Sequence, residues 1–552
     1  MSFFYESWNL QKQRKETDIT SALIDYYQLS SKAAQQSFFK SSKMSDLYEG
    51  SLLKGYDSAL QRIFIAIQQK ERIVIFGDYD VDGVVGTYLL FDILKKVGAQ
   101  VSYRLPHREK DGYGLKKYFI QELSEKDVKL IITVDTGIAA FQEAEYAKEK
   151  GIDLIITDHH EIQGKIPQSK VIVNPKQPGC QYPDKNLCGA AVAYKLACGI
   201  AKKYLSKLQY ESYVKEQLQV VAMATIADVV PLIGENRTIV KLGLEFLQQS
   251  EKINIKKMLS LAKVEPKELD EETIGFQIGP RLNASGRMSS AYLSLDFLLG
   301  KEEMAEKLEF LNEKRKNLVK KALQDIQVKE NESIVIRSSE KWHPGIIGLI
   351  SGQITEKYFK PTIILQEQDD ILVASCRAPK GFNIFDFLCN FAKMFVHFGG
   401  HAQAAGFSIE KSKYDLFIKQ AQNKAQSILQ KSPIKKVLEI VTEITEEELR
   451  LDTYDVIKIF SPFGEGHKKP VFLLKNVQGI NWYSMGKENE HLSGRLQLSN
   501  GGNVKVIKFF AKDLIPHLVS EKSYDLAVTL EKNVWQGQSY LQLNLVDIVE
   551  KD

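Results

Sequence analysis

The stretch Ile73-Val-Ile-Phe-Gly-Asp-Tyr-Asp-Val-Asp-Gly83 decides how the rest of this 552-residue chain is read. Residues 73–76 are apolar and mostly β-branched, the pattern of a strand buried on both faces. Gly77 turns the chain, and Asp78, Asp80 and Asp82 follow on alternate positions before a helical pattern from Val84 to Val97. Three carboxylates crowded between a strand and a helix repel one another and raise each other's pKa unless a cation neutralises them. A helix N-terminus carries only about half a charge, too little for all three. One aspartate would be explained as a helix cap; three ask for a divalent metal.

Working outward, the chain is too long for one core, and three or four domains are expected. Apolar residues at 44% and charged residues at 26% are those of an ordinary globular protein. A formal charge of +4 is mild for this length, so any polyanion-binding surface must be a local patch. The five cysteines, Cys180, Cys188, Cys198, Cys376 and Cys389, are odd in number and form no C-x-x-C pair. That points to a reducing compartment and away from a zinc ribbon or a disulfide scaffold. Glu6 interrupts what would be the apolar core of a signal peptide, and no uncharged apolar run reaches membrane-spanning length. A cytoplasmic protein with no membrane partner is expected.

Residues 1–68 read as a helical preface packed on the first domain. From 69 to 300, strands at 72–76, 100–105, 129–134, 153–157 and 170–173 alternate with helices such as 139–150, which implies a parallel sheet covered on both faces. Ligands of such sheets bind beyond the carboxyl ends of the strands. There Asp135 follows one strand and Asp158-His159-His160 another. Residues 186–233 read as buried helices, and Asp228 stands in an apolar run just before Pro231, where an unpaired charge would be costly. Residues 274–291 read as a loop. Residues 301–331 read as a long connecting helix, 332–432 as a second α/β unit, and 433–552 as an all-β tail with the turn density of a small barrel.

The candidate ligands are therefore Asp80, Asp82, Asp135, His159 and Asp228, with Asp78, Asp158 and His160 nearby. Carboxylates with imidazole suit Mg²⁺ or Mn²⁺. A set this large suits two ions about 4 Å apart, an arrangement that activates water and stabilises the leaving oxygen in phosphoryl transfer. A dinucleotide site is excluded, because the first strand–helix turn is acidic where backbone N–H groups would have to meet a pyrophosphate. Arg104, Arg108, Arg281, Arg287 and Arg377 lie in turn-rich segments suited to bidentate phosphate contacts.

DYDVDG, TVDTG, TDHH and IADVVPL, in that order, resemble the DHH phosphoesterase superfamily. GPRLNASGRM, WHPGIIG, SCRA and GGHAQAAG resemble its RecJ branch of single-stranded-DNA exonucleases, over roughly residues 70–552. The resemblance implies a DHH catalytic domain at 69–300, a DHH-associated domain at 332–432 and an OB-like domain at 433–552. It implies degradation of single-stranded DNA from the 5′ end to 5′-mononucleotides, in repair and recombination, with two divalent cations, Mn²⁺ or Mg²⁺. Asp80, Asp82, Asp135 (bridging), His159 and Asp228 would be the ligands, Asp78 and Asp158 would orient them, and His160 would touch the scissile phosphate. Substrate contacts are implied for Arg104, Arg108, Arg281, His343, Ser375, Arg377, Gly400 and His401. In the OB-like tail Trp482, Tyr483, Trp535 and Tyr540 are candidates for base stacking, with half of them expected in its core. His467 and Lys468 stand where the family usually has Asn-Pro. A helicase and a single-strand-binding protein are implied partners, and a monomer is expected. Rival readings are a phosphoesterase of short oligonucleotides or cyclic dinucleotides, whose relatives usually lack an OB-like tail, and a non-catalytic replication scaffold, which would have lost ligands present here.

Overall fold

The computed structural model describes residues 3–11, 18–162, 164–478, 480–486, 488–499, 501–519 and 522–551. Its contacts divide the chain into two units, Ser42–Ile434 with Gly464–Gly466, and Met1–Ser41 with Lys435–Phe463 and His467–Asp552.

In the first unit, five parallel strands lie in the order Gln100–Arg104, Arg72–Gly77, Val128–Val134, Asp153–Thr157, Val171–Val173. Alternation along Arg72–Gly77 sends side chains to two cores, as the period of a strand requires. Ile73 and Ile75 join Val84 and Leu89 of the helix Val81–Lys96, Ala190 of Gly189–Tyr204 and Val221 of Lys207–Ala227. Val74 and Phe76 join Phe119 and Ala144, from the helices Lys117–Glu125 and Phe141–Glu149. The chain leaves Arg72–Gly77 toward one edge and returns to Val128–Val134 on its other side. That reversal puts a crevice at the carboxyl ends of these two strands, where open α/β sheets bind their ligands.

The connecting helix runs Met304–Asp325 and leads to a five-stranded sheet in the order Phe395–His401, Ala404–Glu410, Ile371–Arg377, Thr362–Gln368, Val335–Ser339, with only the last pair parallel. The GGHAQAAG segment is thus a hairpin. Gly400 stands at φ +145, and a Cβ there would come within 2.5 Å of Ala404 O.

Two expectations are corrected. Residues 274–291 are not a loop: a π-helical turn, Ile274–Ile278, runs into the helix Gly279–Met288. Their Gly, Pro, Asn and Ser residues disfavour a helix in isolation, but burial of Arg281, Leu282, Ala284, Ser285 and Met288 overrides propensity. Pro280 comes just after the π-turn, and Gly286 lets the chain approach Tyr79, whose carbonyl would lie 2.3 Å from a Cβ. The preface is also not one element on the first domain. Residues 42–68 do belong there, but Ile19, Ala22 and Leu23 share a core with Phe472, Leu526 and Ile548, and Ser7–Leu10 pairs in parallel with Val437–Ile440.

That second unit holds a seven-stranded sheet in the order Thr442–Glu443, Phe472–Val477, Tyr524–Trp535, Gln538–Glu550, Asn503–Lys508, His491–Gln497, Asn481–Met485, together with an unforeseen helix, Leu451–Lys458. Buried Asp547 ties the N-terminal segment to it, accepting from Phe4 N at 3.0 Å and Trp8 Nε1 at 2.7 Å. The unusual His467 is buried, stacks on Tyr27 with centroids 4.1 Å apart, and bonds Phe460 O at 2.8 Å.

Candidate metal centre and its arginine flank

The acidic loop after Arg72–Gly77 is shaped by its own helix. Asp80 caps Val81–Lys96, its Oδ1 accepting from Gly83 N at 3.1 Å. Gly83 has to be glycine, because a Cβ there would lie 2.5 Å from Asp78 N. Asp82 points instead to the start of the helix Gly189–Tyr204 and accepts from Gly189 N at 2.6 Å and Ala190 N at 2.8 Å. Two helix N-termini therefore converge on one group of carboxylates, the arrangement that best tolerates negative charge. Asp135 follows its strand at φ +59, a left-handed conformation uncommon outside glycine and frequent at functional sites.

Ligand-capable atoms gather in three sets, each within 4.8 Å: Asp78, Asp80 and Asp135; Asp82, His159 and Asp228; Asp135, His159 and His160. Asp135 belongs to the first and third sets and His159 to the second and third, so these two residues together link all three. His159 Nε2 is 3.1 Å from Asp135 Oδ1, 3.7 Å from Asp228 Oδ2 and 3.8 Å from Asp82 Oδ2. Asp78 Oδ1, Asp135 Oδ1 and Asp228 Oδ2 are buried with no hydrogen-bond partner. Such groups are costly unless a cation meets them, so these residues fit a divalent metal.

The electrostatics agree. Burial first, then neighbouring carboxylates, push Asp78, Asp135 and Asp228 well above the usual carboxylate range, and Asp82 rises to about 6. Burial drives His159 down to about 3, which leaves its ring neutral and able to act as a ligand. Asp158 differs. Burial would raise it, but the hydrogen bond and charge of His160 and the N–H of Ile138 outweigh that and lower it. Asp158 accepts from Ile138 N at 2.9 Å, His159 N at 2.8 Å and His160 N at 3.1 Å, and holds His160 Nδ1 at 2.7 Å. It is fully engaged in orienting the two histidines.

Asp78 does not share that orienting role. It stands among the ligand-capable atoms, its Oδ1 buried and without a partner, where the sequence motif places it behind them.

Beside the carboxylates lies a group of cations. Arg108 stacks on the Tyr79 ring at 3.9 Å, and its Nε is buried without a partner. Arg287 is lowered to about 10, first by burial and then by the charges of Arg108, Arg315 and Arg377. Arg377 NH1 donates to Cys376 O at 2.8 Å and reaches Ser375 Oγ at 3.4 Å. A Cβ on Gly348, at the start of the helix Ile347–Tyr358, would be 3.2 Å from Ser375 Oγ and 3.6 Å from an Arg377 nitrogen. His401 is lowered by burial, then by Arg377 and His160. Arginines that repel one another beside a helix start are a group whose repulsion an anion would relieve. His343 stands nearby in sequence, its Nδ1 accepting from Gly345 N at 3.0 Å and its Nε2 3.4 Å from Glu109.

Other expected contacts fall elsewhere. Arg104 pairs with Glu122 at 3.2 Å and lies over Phe119, at the edge strand of the sheet. Arg281 is buried, forks onto Glu309 and donates to Gln277 O at 2.7 Å, so its donors are consumed inside the fold. Arg281→Ala is expected to lower stability by about 2–3 kcal/mol, by leaving Glu309 unpaired, without weakening phosphate binding. Thermal melts beside phosphate-affinity measurements check this. Trp482 is half-buried against the core of the C-terminal sheet, while Tyr483 and Tyr540 are exposed. The side chain of Trp535 lies outside the described residues. The sequence marks Arg287 only as one arginine of its segment and carries no motif signal for Asn283, whose Oδ1 accepts from Val81 N at 3.1 Å and ties this helix to the acidic loop. The helical phase of GPRLNASGRM, had it been recognised, sets both apart from Arg281.

The site is thus a set of carboxylates and histidines at the reversal point of a doubly covered parallel sheet. Residues 72–225 match the DHH family N-terminal domain, 331–427 the DHHA1 domain and 440–547 the RecJ OB domain. The single-stranded-DNA-specific exonuclease RecJ of Haemophilus influenzae is 31% identical over 90% of this chain and 91% of its own length. The chain belongs to the RecJ family. The Bacillus subtilis protein of the same name is 33% identical over 92% of this chain, which spans 65% of that relative's length. A crystal structure of RecJ from Thermus thermophilus in complex with Mn²⁺ shares the fold, with a TM-score of 0.80 at 24% identity, over 97% of this chain and 76% of that one. Among the described residues no helix is long and apolar enough to cross a membrane.

Proposed function

We propose that this chain is a metal-dependent exonuclease that hydrolyses single-stranded DNA from its 5′ end to 5′-mononucleotides, in DNA repair and recombination. The observation that carries this is the pairing of a buried, unpartnered carboxylate group with a cluster of mutually repelling arginines beside it. One attracts divalent cations and the other a phosphate. The matches to the DHH, DHHA1 and RecJ OB domains and the names of the relatives support the substrate.

Asp78, Asp80, Asp82, Asp135, His159 and Asp228 would hold two divalent cations, Mn²⁺ or Mg²⁺, which when bound supply water activation and neutralise charge on the leaving oxygen. Asp135 would connect the two positions. Asp158 fixes the ring of His160, so that its Nε2 is presented to a phosphoryl oxygen at the scissile bond. Arg108, Arg287 and Arg377, with Ser375 and His401, would hold the 5′-terminal phosphate and so set polarity, because they fix the chain end relative to the carboxylates. The working division is 69–300 for catalysis, 301–331 as connector, 332–432 for the terminal phosphate and 433–552 for the strand. A helicase and a single-strand-binding protein are the partners such an activity calls for, and the chain would work as a monomer.

Strands labelled at either end test this with Mn²⁺ present. Early release of the 5′ label supports it, and early release of the 3′ label overturns the polarity. Cleavage of dinucleotides alone favours the oligonucleotide phosphoesterase, and an intact long strand favours the scaffold.

A further inference from the structure

A cleft of about 710 Å³ opens between residues 44–51, the helix Tyr56–Gln68, the end of Gly189–Tyr204 and the start of Lys207–Ala227. No carboxylate, histidine or arginine of the metal centre and its flank lines it. Its walls are held from beneath. Buried Lys195 donates to Glu235 Oε1 at 2.6 Å and to Tyr48 O at 2.8 Å, and Tyr48 N donates to the same carboxylate oxygen at 2.8 Å. That fixes the backbone at Tyr48 and with it the rim at Glu49. Tyr56 is seated by its hydroxyl, which donates to Lys195 O at 3.2 Å. Two glycines admit its side chain: a Cβ on Gly199 would lie 2.4 Å from that hydroxyl, and one on Gly50 2.5 Å from the ring. Tyr194 joins the two long helices, donating to Val214 O at 2.9 Å. A cleft of this volume with a pre-formed floor is the form that small-molecule sites take, at about 300–1,000 Å³.

What the cleft offers a ligand is left over from this framework. Tyr210 contributes a half-buried ring, Glu49 stands at the edge, and the exposed Lys202, Lys203 and Lys215 line the cleft together with Glu211. Lys203 lies over the Phe64 ring at 4.1 Å, whereas Glu49, Lys202 and Lys215 are in no ion pair among the described residues. Burial foremost, with the Glu49 charge among the lesser causes, raises the Tyr210 hydroxyl and the Cys198 thiol to about 12 each, so that charge is felt inside the cleft. An aromatic ring, a carboxylate and a cationic rim together match one ligand chemistry: a flat base with N–H donors that carries phosphate. We propose that this cleft binds a guanine nucleotide, with the base on Tyr210, its N1–H and N2–H donated to Glu49, and its phosphates at Lys202 and Lys215. Guanine has two adjacent donors, which a carboxylate accepts as a fork. Adenine and cytosine set an acceptor beside their donor on that edge, and a carboxylate repels it. The ring supplies a stacking face, and the lysine ammoniums supply charge for the phosphates. The proposal is independent of the hydrolytic reading, since none of its residues enters that reaction.

Calorimetry on the full chain with chelator, comparing GDP with ADP, tests this. The arginine flank would hold a phosphate whatever its base, so ADP reports binding there and the margin between the two nucleotides reports the cleft. GDP is expected to bind about tenfold to 150-fold more tightly than ADP, the worth of hydrogen bonding to a charged group. Glu49→Gln removes that margin and leaves ADP affinity unchanged. Its melting temperature stays as in the wild type, because Glu49 is exposed and in no ion pair. Tyr210→Ser weakens GDP binding about fivefold to 150-fold, the range for one stacked base, and Tyr210→Phe restores it. Equal affinity of the wild type for GDP and ADP overturns the site. So does a margin that survives Glu49→Gln, since guanine is then read elsewhere.

Discussion

Asp135→Asn is expected to reduce hydrolysis of single-stranded DNA on the order of 10³-fold or more while leaving the fold intact. Asp135 is the carboxylate common to two ligand sets and, at 3.1 Å, lies nearer to His159 Nε2 than Asp228 or Asp82 does. Removing its charge weakens the hold on both cation positions together. Misplacing a catalytic ion forfeits several kcal/mol of charge stabilisation, and about 1.4 kcal/mol is worth tenfold in rate. The same substitution should stabilise the metal-free protein. Asp135 is buried, and Asp82, Asp80, Asp228 and Asp78 all oppose its ionisation. A neutral amide relieves that repulsion, with a gain of about 2–4 °C in melting temperature for each kcal/mol relieved. With Mn²⁺ the order reverses: at a hundredfold excess over Kd the wild type gains about 2.7 kcal/mol, which the variant largely lacks. Melting curves with chelator and with Mn²⁺ check this crossing. Equal Mn²⁺ stabilisation of both proteins would falsify the bridging role.

Arg377→Ala should raise KM for a 5′-phosphorylated strand by about 30-fold to 5,000-fold, with a much smaller effect on a 5′-hydroxyl strand. A desolvated, hydrogen-bonded charge pair is worth about 2–5 kcal/mol when one partner is truncated. Arg377 stands by Ser375 and the start of Ile347–Tyr358, so its loss removes the anchor of the helix-start site. The free protein does not suffer, because burial and Arg108 already oppose the charge on Arg377. Steady-state kinetics on the two strand types decide. A KM rise of equal size on both would assign Arg377 to an internal phosphate and remove the terminal one from its role.

The relation of sequence to structure differs between the two halves of the site. The carboxylates were legible because each follows a strand. A buried β-run ending in Asp places that residue at the sheet edge whatever the rest of the chain does, and three such strands share one edge. Strand boundaries hold to within a residue for the same reason. The arginines were not legible in this way. Arg281 and Arg287 stand in one segment of similar composition, yet Glu309 from the connecting helix takes the first, and the second reaches the cluster. That choice depends on helical phase across a π-turn which Gly, Pro and Ser had disguised as a loop.

From the amino-acid sequence alone came the parallel sheet, the gathering of carboxylates and histidines at its reversal, and the kind of cation those groups suit. These follow from local rules: period-two burial, strand-to-helix turns, and charge that must be neutralised. Only the tertiary structure decided that Asp78 stands among the ligand-capable atoms while Asp158 is spent on holding His160, although both are aspartates directly after a strand. It also decided that residues before 42 serve the C-terminal unit. The reason is that a buried side chain's role is set by which partners arrive from distant segments. Asp158 meets the N–H groups of Ile138, His159 and His160, whereas Asp78 Oδ1 meets none. Sequence supplies the groups, and long-range packing determines which of them remain available to a cation.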